Sequence, residues 1–298
     1  MKIKKGGIIL AAITAATLAL AGCASPSDDA PSETPSETVR IGVVGASDPY
    51  WETFKDAAAA EGIDVELIDF SDYNQPNPAL SEGELDLNQF QHIIYLAQHN
   101  VASGDDLVPV GSTAIYPLAV FSEKYDDVKS IPEGATIAIP NDESNRARAL
   151  LVLQQAGLLE LENGGTIFST PDDIIADKSK VAVLEVDASF TATSIADVDA
   201  AVVNNDFVTK AGLDFADALF QDDPSDPSAF PYINIFAARA ADANNPTYLK
   251  LIEIYQTNPE VQAGVLENSG GSAVLLQTPV ADLVASLAKV QSDIEANS

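Results

Sequence analysis

The chain has 298 residues, with 45 acidic against 15 basic side chains and a formal net charge of −30. So large an excess of carboxylates excludes partners that require a positive field, nucleic acid and anionic lipid surfaces above all. A single cysteine and two histidines exclude a disulfide framework and leave little for thiol or multi-histidine metal chemistry.

The N-terminus carries the strongest local signal. Lys2, Lys4 and Lys5 precede an almost wholly apolar run from Gly7 to Leu20, and Leu20-Ala21-Gly22-Cys23 closes it as a lipobox. The run is too short to span a bilayer comfortably, so residues 1–22 are predicted to be a lipoprotein signal peptide and Cys23 the lipidated first residue of the mature chain. From Ala24 to Thr38 the sequence is Pro, Ser, Asp, Glu, Thr and Ala without a large apolar side chain, so residues 23–38 are predicted to be the anchor and a disordered tether. Two acyl chains at Cys23 would hold the protein to the cell membrane, facing the extracytoplasmic side.

The folded part begins at Val39. Val39 to Val44 reads as a strand, a helix starts at Pro49 with Trp51, Phe54, Ala57 and Ala58 inward, Gly62 ends it, and Ile63 to Phe70 forms the next strand. This strand, helix, strand unit implies a parallel pair and an α/β fold. Further along, Gln91 to Ala97 is predicted helical, Ala114 to Phe121 and Thr136 to Pro140 are predicted strands, and Asn145 to Ala156 a helix stopped by Gly157. Strands are predicted at Ala182 to Val186, Ala200 to Val203 and Tyr232 to Ala237. Helices are predicted at Pro246 to Gln256, Pro259 to Leu266 and Pro279 to Ile294. The polar stretches Ser122 to Pro132 and Gln221 to Pro231 bracket a central block and are candidate crossings between two lobes. This places residues 39–121 plus 232–298 in lobe I and residues 122–231 in lobe II.

Catalysis has little to build on. No G-x-S-x-G or S-x-x-K motif is present, and the chain is expected to be neither an enzyme nor a cofactor carrier. His92 and His99 are too few and, on a helix, about 10 Å apart, which is too far to share one metal ion. The segment Ile139 to Leu158 is more informative, because it joins a strand to a helix that Asp142 or Ser144 can cap. Arg148, in its first turns, can grip a carboxylate with its guanidinium fork, or it is an ordinary solvated arginine on a helix face.

That segment, I-P-N-D-E-S-N-R-A-R-A-L-L-V-L-Q-Q-A-G-L, resembles the signature of the methionine-binding lipoproteins, the NLPA lipoprotein family. Gly83 to His92, Pro117 to Ser122, Ala201 to Phe207 and Pro231 to Asn234 resemble further motifs of the same family, in the same order. The resemblance implies a two-lobed periplasmic-binding-protein type of fold, with crossing hinge strands and a ligand cleft between the lobes. It implies an amino acid, methionine foremost, delivered to an ABC permease and its ATPase by a monomeric binding protein. Carried over residue by residue, it assigns Arg148 to the ligand carboxylate and Asn204 and Asn234 to its amino and carboxylate groups. Tyr73, Phe90 and His92 go to the side-chain pocket, and Asn145 to ordering the loop beside Arg148.

The chain departs from the family pattern at several positions. Gln89 stands where an aromatic is common, Ala119 replaces glycine, Phe121 and Phe207 replace tyrosines, and Tyr50-Trp51 adds bulk after the first strand. A related amino acid, a methionine derivative or a short peptide therefore stays open as ligand. A metal-binding lipoprotein and a surface adhesin are the rival readings.

Overall fold

The structure, a computed structural model, describes residues 38–297. The signal peptide, Cys23 and nearly all of the tether lie outside the described residues. In chain order the elements begin with β1 (Thr38–Val43), α1 (Pro49–Ala60), β2 (Asp64–Asp69), α2 (Pro76–Ser81), β3 (Leu87–His92), α3 (Ile93–Ser103) and β4 (Leu107–Ser112). They continue with β5 (Ala114–Ile115), β6 (Ala119–Phe121), β7 (Ala135–Pro140), α4 (Glu143–Gln155), β8 (Val181–Val186), α5 (Ala188–Ser194) and β9 (Ala200–Val203). The last are α6 (Asn205–Val208), β10 (Phe220–Gln221), β11 (Asn234–Arg239), α7 (Pro246–Thr257), α8 (Pro259–Asn268), β12 (Val274–Leu275) and α9 (Val280–Asn297). Among the described residues no helix is long and apolar enough to cross a membrane.

Ten of these strands form two five-stranded sheets, ordered β2-β1-β3-β11-β4 and β10-β6-β9-β7-β8, while β5 pairs with β12, and the molecule is a two-lobed α/β protein with one five-stranded sheet in each lobe. In the first sheet β1 runs parallel to β2 and β3, and β11 is the antiparallel insertion between β3 and β4. Alternation along β11 explains how that sheet is covered on both faces. Phe236 and Ala238 join the core formed with α1, α7 and α8, while Ile235 and Ala237 join the core formed with α2, α3 and α9. Pro109 is tolerated in β4 because that strand is at the sheet edge. The second sheet is covered on one side by α4, through Ala149, Leu150, Val152 and Leu153, and on the other by α5 and α6.

Three expectations are corrected. Gln91 and His92 belong to β3, and the helix starts only at Ile93, because the imidazole of His92 caps it by accepting the Tyr95 N–H at 3.2 Å. The single strand expected over Ala114 to Phe121 is broken at Pro117 into β5, which pairs with β12, and β6, which pairs with β9. Residues 119–121, placed by sequence in lobe I, therefore belong to the second sheet. The chain first crosses between β4 and β6, ahead of Ala119, and the segment Ser122 to Pro132 lies beyond that crossing, with Val128 and Ile131 buried in the second lobe's core. It returns between β10 and β11.

Candidate functional site

The C-terminal ends of β1, β3, β7 and β9 and the start of β11 converge where the lobes meet, the place at which open α/β sheets leave a crevice. There a partly open cavity is lined by Tyr73, Phe90, Gln91, His92, Tyr95, Tyr116, Asn145, Arg148, Asn204, Asn205 and Asn234. All seven side chains singled out from the sequence are thus brought to one cavity.

Asp142 builds one wall. At the N-cap of α4 its Oδ1 accepts the backbone N–H of Asn145 at 3.0 Å and the Asn145 side-chain amide at 2.8 Å. This turns the Asn145 Oδ1 inward, where it accepts from Asn204 Nδ2 at 2.8 Å and faces His92 Nε2 at 3.4 Å. Because Nδ1 of His92 is already an acceptor for the Tyr95 N–H, its proton resides on Nε2. Burial, with the Arg148 charge adding to it, lowers the His92 pKa to about 3, so the ring is neutral. Asn204 spends its amide donor on Asn145, and its Oδ1, fully buried, has no protein partner. An unsatisfied acceptor in such a place costs about 1–3 kcal/mol unless a donor arrives from outside the chain.

Arg148 is 4% exposed and is held more firmly than the sequence suggests. Its Nε donates to Asp222 Oδ2 at 2.7 Å, its Nη2 to Asp222 Oδ1 at 3.2 Å and to the Tyr116 carbonyl at 2.9 Å, and the guanidinium lies 4.3 Å from the Tyr232 ring centroid. The fork expected to be open for a ligand is therefore occupied by Asp222, and these bonds use Nε and Nη2 but not Nη1. Asp222 also accepts the Leu118 N–H at 2.8 Å, so the pair ties the first crossing segment to the second. Sequence reasoning missed Asp222 because 74 positions separate it from Arg148 and acidic residues are abundant throughout.

Part of the lining is aromatic. Tyr73 lies 5.7 Å from Phe90 and 5.2 Å from Phe207 between ring centroids, and Tyr95 packs edge-on against Phe90 at 5.7 Å. The Tyr95 hydroxyl donates to the Tyr73 carbonyl at 3.0 Å and holds the Tyr73 loop in place. Behind this wall, Asn77, Asn88 and Gln91 exchange amide hydrogen bonds of 2.6 to 2.9 Å, which fixes β3 against α2.

The departures from the family pattern fall outside this cavity. Trp51 is buried among Tyr50, Phe54 and Tyr255 in the first lobe's core and does not reach the cavity. Gln89 and Tyr50 line an adjoining space of about 430 Å³, together with Asp48 and Asp206, which shares Phe90, Tyr116, Asn205 and Asn234 with the first. Among the described residues no group of three or more His, Cys, Asp or Glu side chains could hold a metal ion. His99, the other histidine, bonds Asp105 at 2.8 Å, away from His92.

Known proteins agree on one kinship. A probable D-methionine-binding lipoprotein MetQ of Pasteurella multocida (strain Pm70) is 35% identical over 263 residues, covering 85% of this chain and 93% of that one. The structure of protein PG110 from Staphylococcus aureus superposes with a TM-score of 0.81 at 37% identity, covering 85% of this chain and 99% of the other. The substrate-binding protein of a methionine transporter from Streptococcus pneumoniae follows with a TM-score of 0.75 at 37% identity, covering 80% and 95%. Residues 39–275 match the NlpA lipoprotein family, and the chain belongs to that family.

Proposed function

We propose that the chain is a solute-binding lipoprotein that captures free methionine in this cavity and hands it to an ABC importer, anchored through Cys23 on the extracytoplasmic side of the membrane. The observation that carries the reading is the polarity of the cavity. Its lining combines a buried arginine and an unpartnered asparagine oxygen with the aromatic rings of Tyr73 and Phe90. A zwitterion carried into a buried site needs a donor for its carboxylate and an acceptor for its ammonium group, and Arg148 Nη1 and Asn204 Oδ1 are the groups left over to supply them. Asn234, at the start of β11, lines the same cavity. A thioether is polarizable and packs favourably against aromatic rings, which is what Tyr73, Phe90 and the neutral His92 ring present.

Binding serves transport because the cavity draws on both lobes. Tyr73, Phe90 and His92 come from the first sheet's side and Asn145, Arg148 and Asn204 from the second's, so a ligand touching all six favours the closed arrangement that a permease can distinguish. No cofactor takes part. Calorimetric titration of the chain, unfolded and refolded to strip carried-over ligand, against L-methionine, D-methionine and the other amino acids tests this. One molecule of methionine bound per chain is expected. Binding of divalent metal in its place would establish the metal-lipoprotein reading, and silence across amino acids and metals the adhesin reading.

A further inference from the structure

Resting on the reading of this cleft as a ligand site, we infer that Asp206 is a positioning residue that latches the lobes together by holding the Tyr73 hydroxyl and ties ligand retention to one proton. Asp206 belongs to α6 in the second lobe, and Tyr73 precedes α2 in the first. The Tyr73 hydroxyl donates to Asp206 Oδ2 at 2.9 Å, across the cleft, while Asp206 Oδ1 accepts the Asn205 side-chain amide at 2.6 Å. Tyr73 is a wall of the cavity, stacked among Phe90, Tyr95 and Phe207, so the carboxylate fixes that wall without lining the cavity itself. The contact joins different lobes and exists only when the cleft is shut.

The groups around Asp206 set its charge. From the first lobe Tyr73, Asp48, Tyr50, Tyr116 and Tyr255 face it. From its own lobe come Asn205 and Lys210, whose Nζ lies over the Phe207 ring at 5.6 Å. Burial raises the Asp206 pKa from 3.8 to about 7, with the Asp48 carboxylate adding to the rise, and the Tyr73 hydroxyl, Lys210 and Asn205 opposing it. The tyrosines, raised by burial, stay neutral. Because the burying groups belong largely to the first lobe, parting the lobes returns Asp206 to water and to an ordinary carboxylate pKa. Between about pH 4 and pH 7 the closed form therefore holds a proton that the open form has released. The protonated acid still accepts the Tyr73 O–H at its carbonyl oxygen, so the latch survives while the cost of a buried charge disappears. Closure is strongest at acid pH, weakens by at most about tenfold per pH unit as pH rises towards 7, and is level above it.

Titrating the full chain with L-methionine across this range, beside Asp206→Asn, tests the latch. The parent is expected to lose affinity towards pH 7, while Asp206→Asn, neutral at every pH and still able to accept from Tyr73, binds with a flatter profile and more tightly than the parent at about pH 8. Whatever Asp48 and Asp142 contribute remains in the variant, so the difference between the two profiles belongs to Asp206. Parallel profiles would overturn the inference. Failure of the site reading is distinguishable, since methionine would then bind at no pH. In that case small-angle scattering of the ligand-free chains decides: the parent is expected to be more compact at about pH 5 than at about pH 8 and Asp206→Asn to change less between the two, and identical responses would overturn the latch.

Discussion

Replacing Arg148 by Ala perturbs two things at once, and the structure shows how to separate them. The guanidinium is buried and makes three hydrogen bonds, two to Asp222 and one to the Tyr116 carbonyl. Its loss leaves the Asp222 carboxylate, with a side chain 15% exposed, supported by the Leu118 N–H. Breaking a buried pair from one side costs about 3–5 kcal/mol, and the partial exposure of Asp222 places this case near the lower figure. The ligand loses a charge-assisted contact to its carboxylate as well, worth about 2–5 kcal/mol when the partner charge stays buried. That corresponds to a Kd raised roughly thirtyfold to a few thousandfold. Combining Arg148→Ala with Asp222→Asn removes the stranded charge. Thermal unfolding of the ligand-free double variant is expected to recover much of the lost stability, while calorimetry shows affinity as poor as in the single variant. If affinity returns together with stability, Arg148 acts only as a tie between the crossing segments and the proposed carboxylate contact is wrong.

Asn204→Ala removes the unpartnered acceptor and is expected to weaken methionine binding by about 1–3 kcal/mol, measured by calorimetry; unchanged affinity would remove Asn204 from the ammonium site. Trp51→Ala opens a cavity in the first lobe's core and is expected to cost about 3–5 kcal/mol in denaturant unfolding while leaving the order of preference among amino acids intact, so an altered preference would show that Trp51 shapes the pocket after all. The His92 pKa falls from 6.5 to about 3 on folding. Its contribution is fully present above pH 6.5 and is lost as pH falls towards 3, because the unfolded chain takes up a proton that the folded chain refuses. His92→Gln is accordingly expected to flatten the acid limb of the stability curve, and superimposable curves for parent and variant would refute the assignment.

The regular helices were legible because their boundaries are chemical. Pro49, Pro246 and Pro259 open helices, and Asp142 caps α4 with the bond its position suggests. Strand β3 was not legible as a strand. Its sequence Leu-Asn-Gln-Phe-Gln-His shows no apolar alternation, yet all six residues are buried, since Asn88 and Gln91 satisfy each other and Asn77 in a closed amide network. Nothing local announces such a network, because its partners lie on another element. The same holds for Asp206, which gains its setting only when the lobes meet. The candidate site residues could be named from motifs, but the occupation of the Arg148 fork by Asp222 could not, because it depends on the crossing segments lying side by side.

A methionine zwitterion held with its carboxylate at Arg148 and its side chain against the aromatic wall can be seen in a crystal structure of the chain soaked with selenomethionine. The chain's one methionine is Met1, so an anomalous peak in the cleft reports the ligand alone. A selenium peak is expected beside Tyr73, Phe90 and His92, with the ligand carboxylate within hydrogen-bond reach of Arg148 Nη1 and its nitrogen on Asn204 Oδ1. A peak elsewhere, or a carboxylate turned away from Arg148, would contradict it.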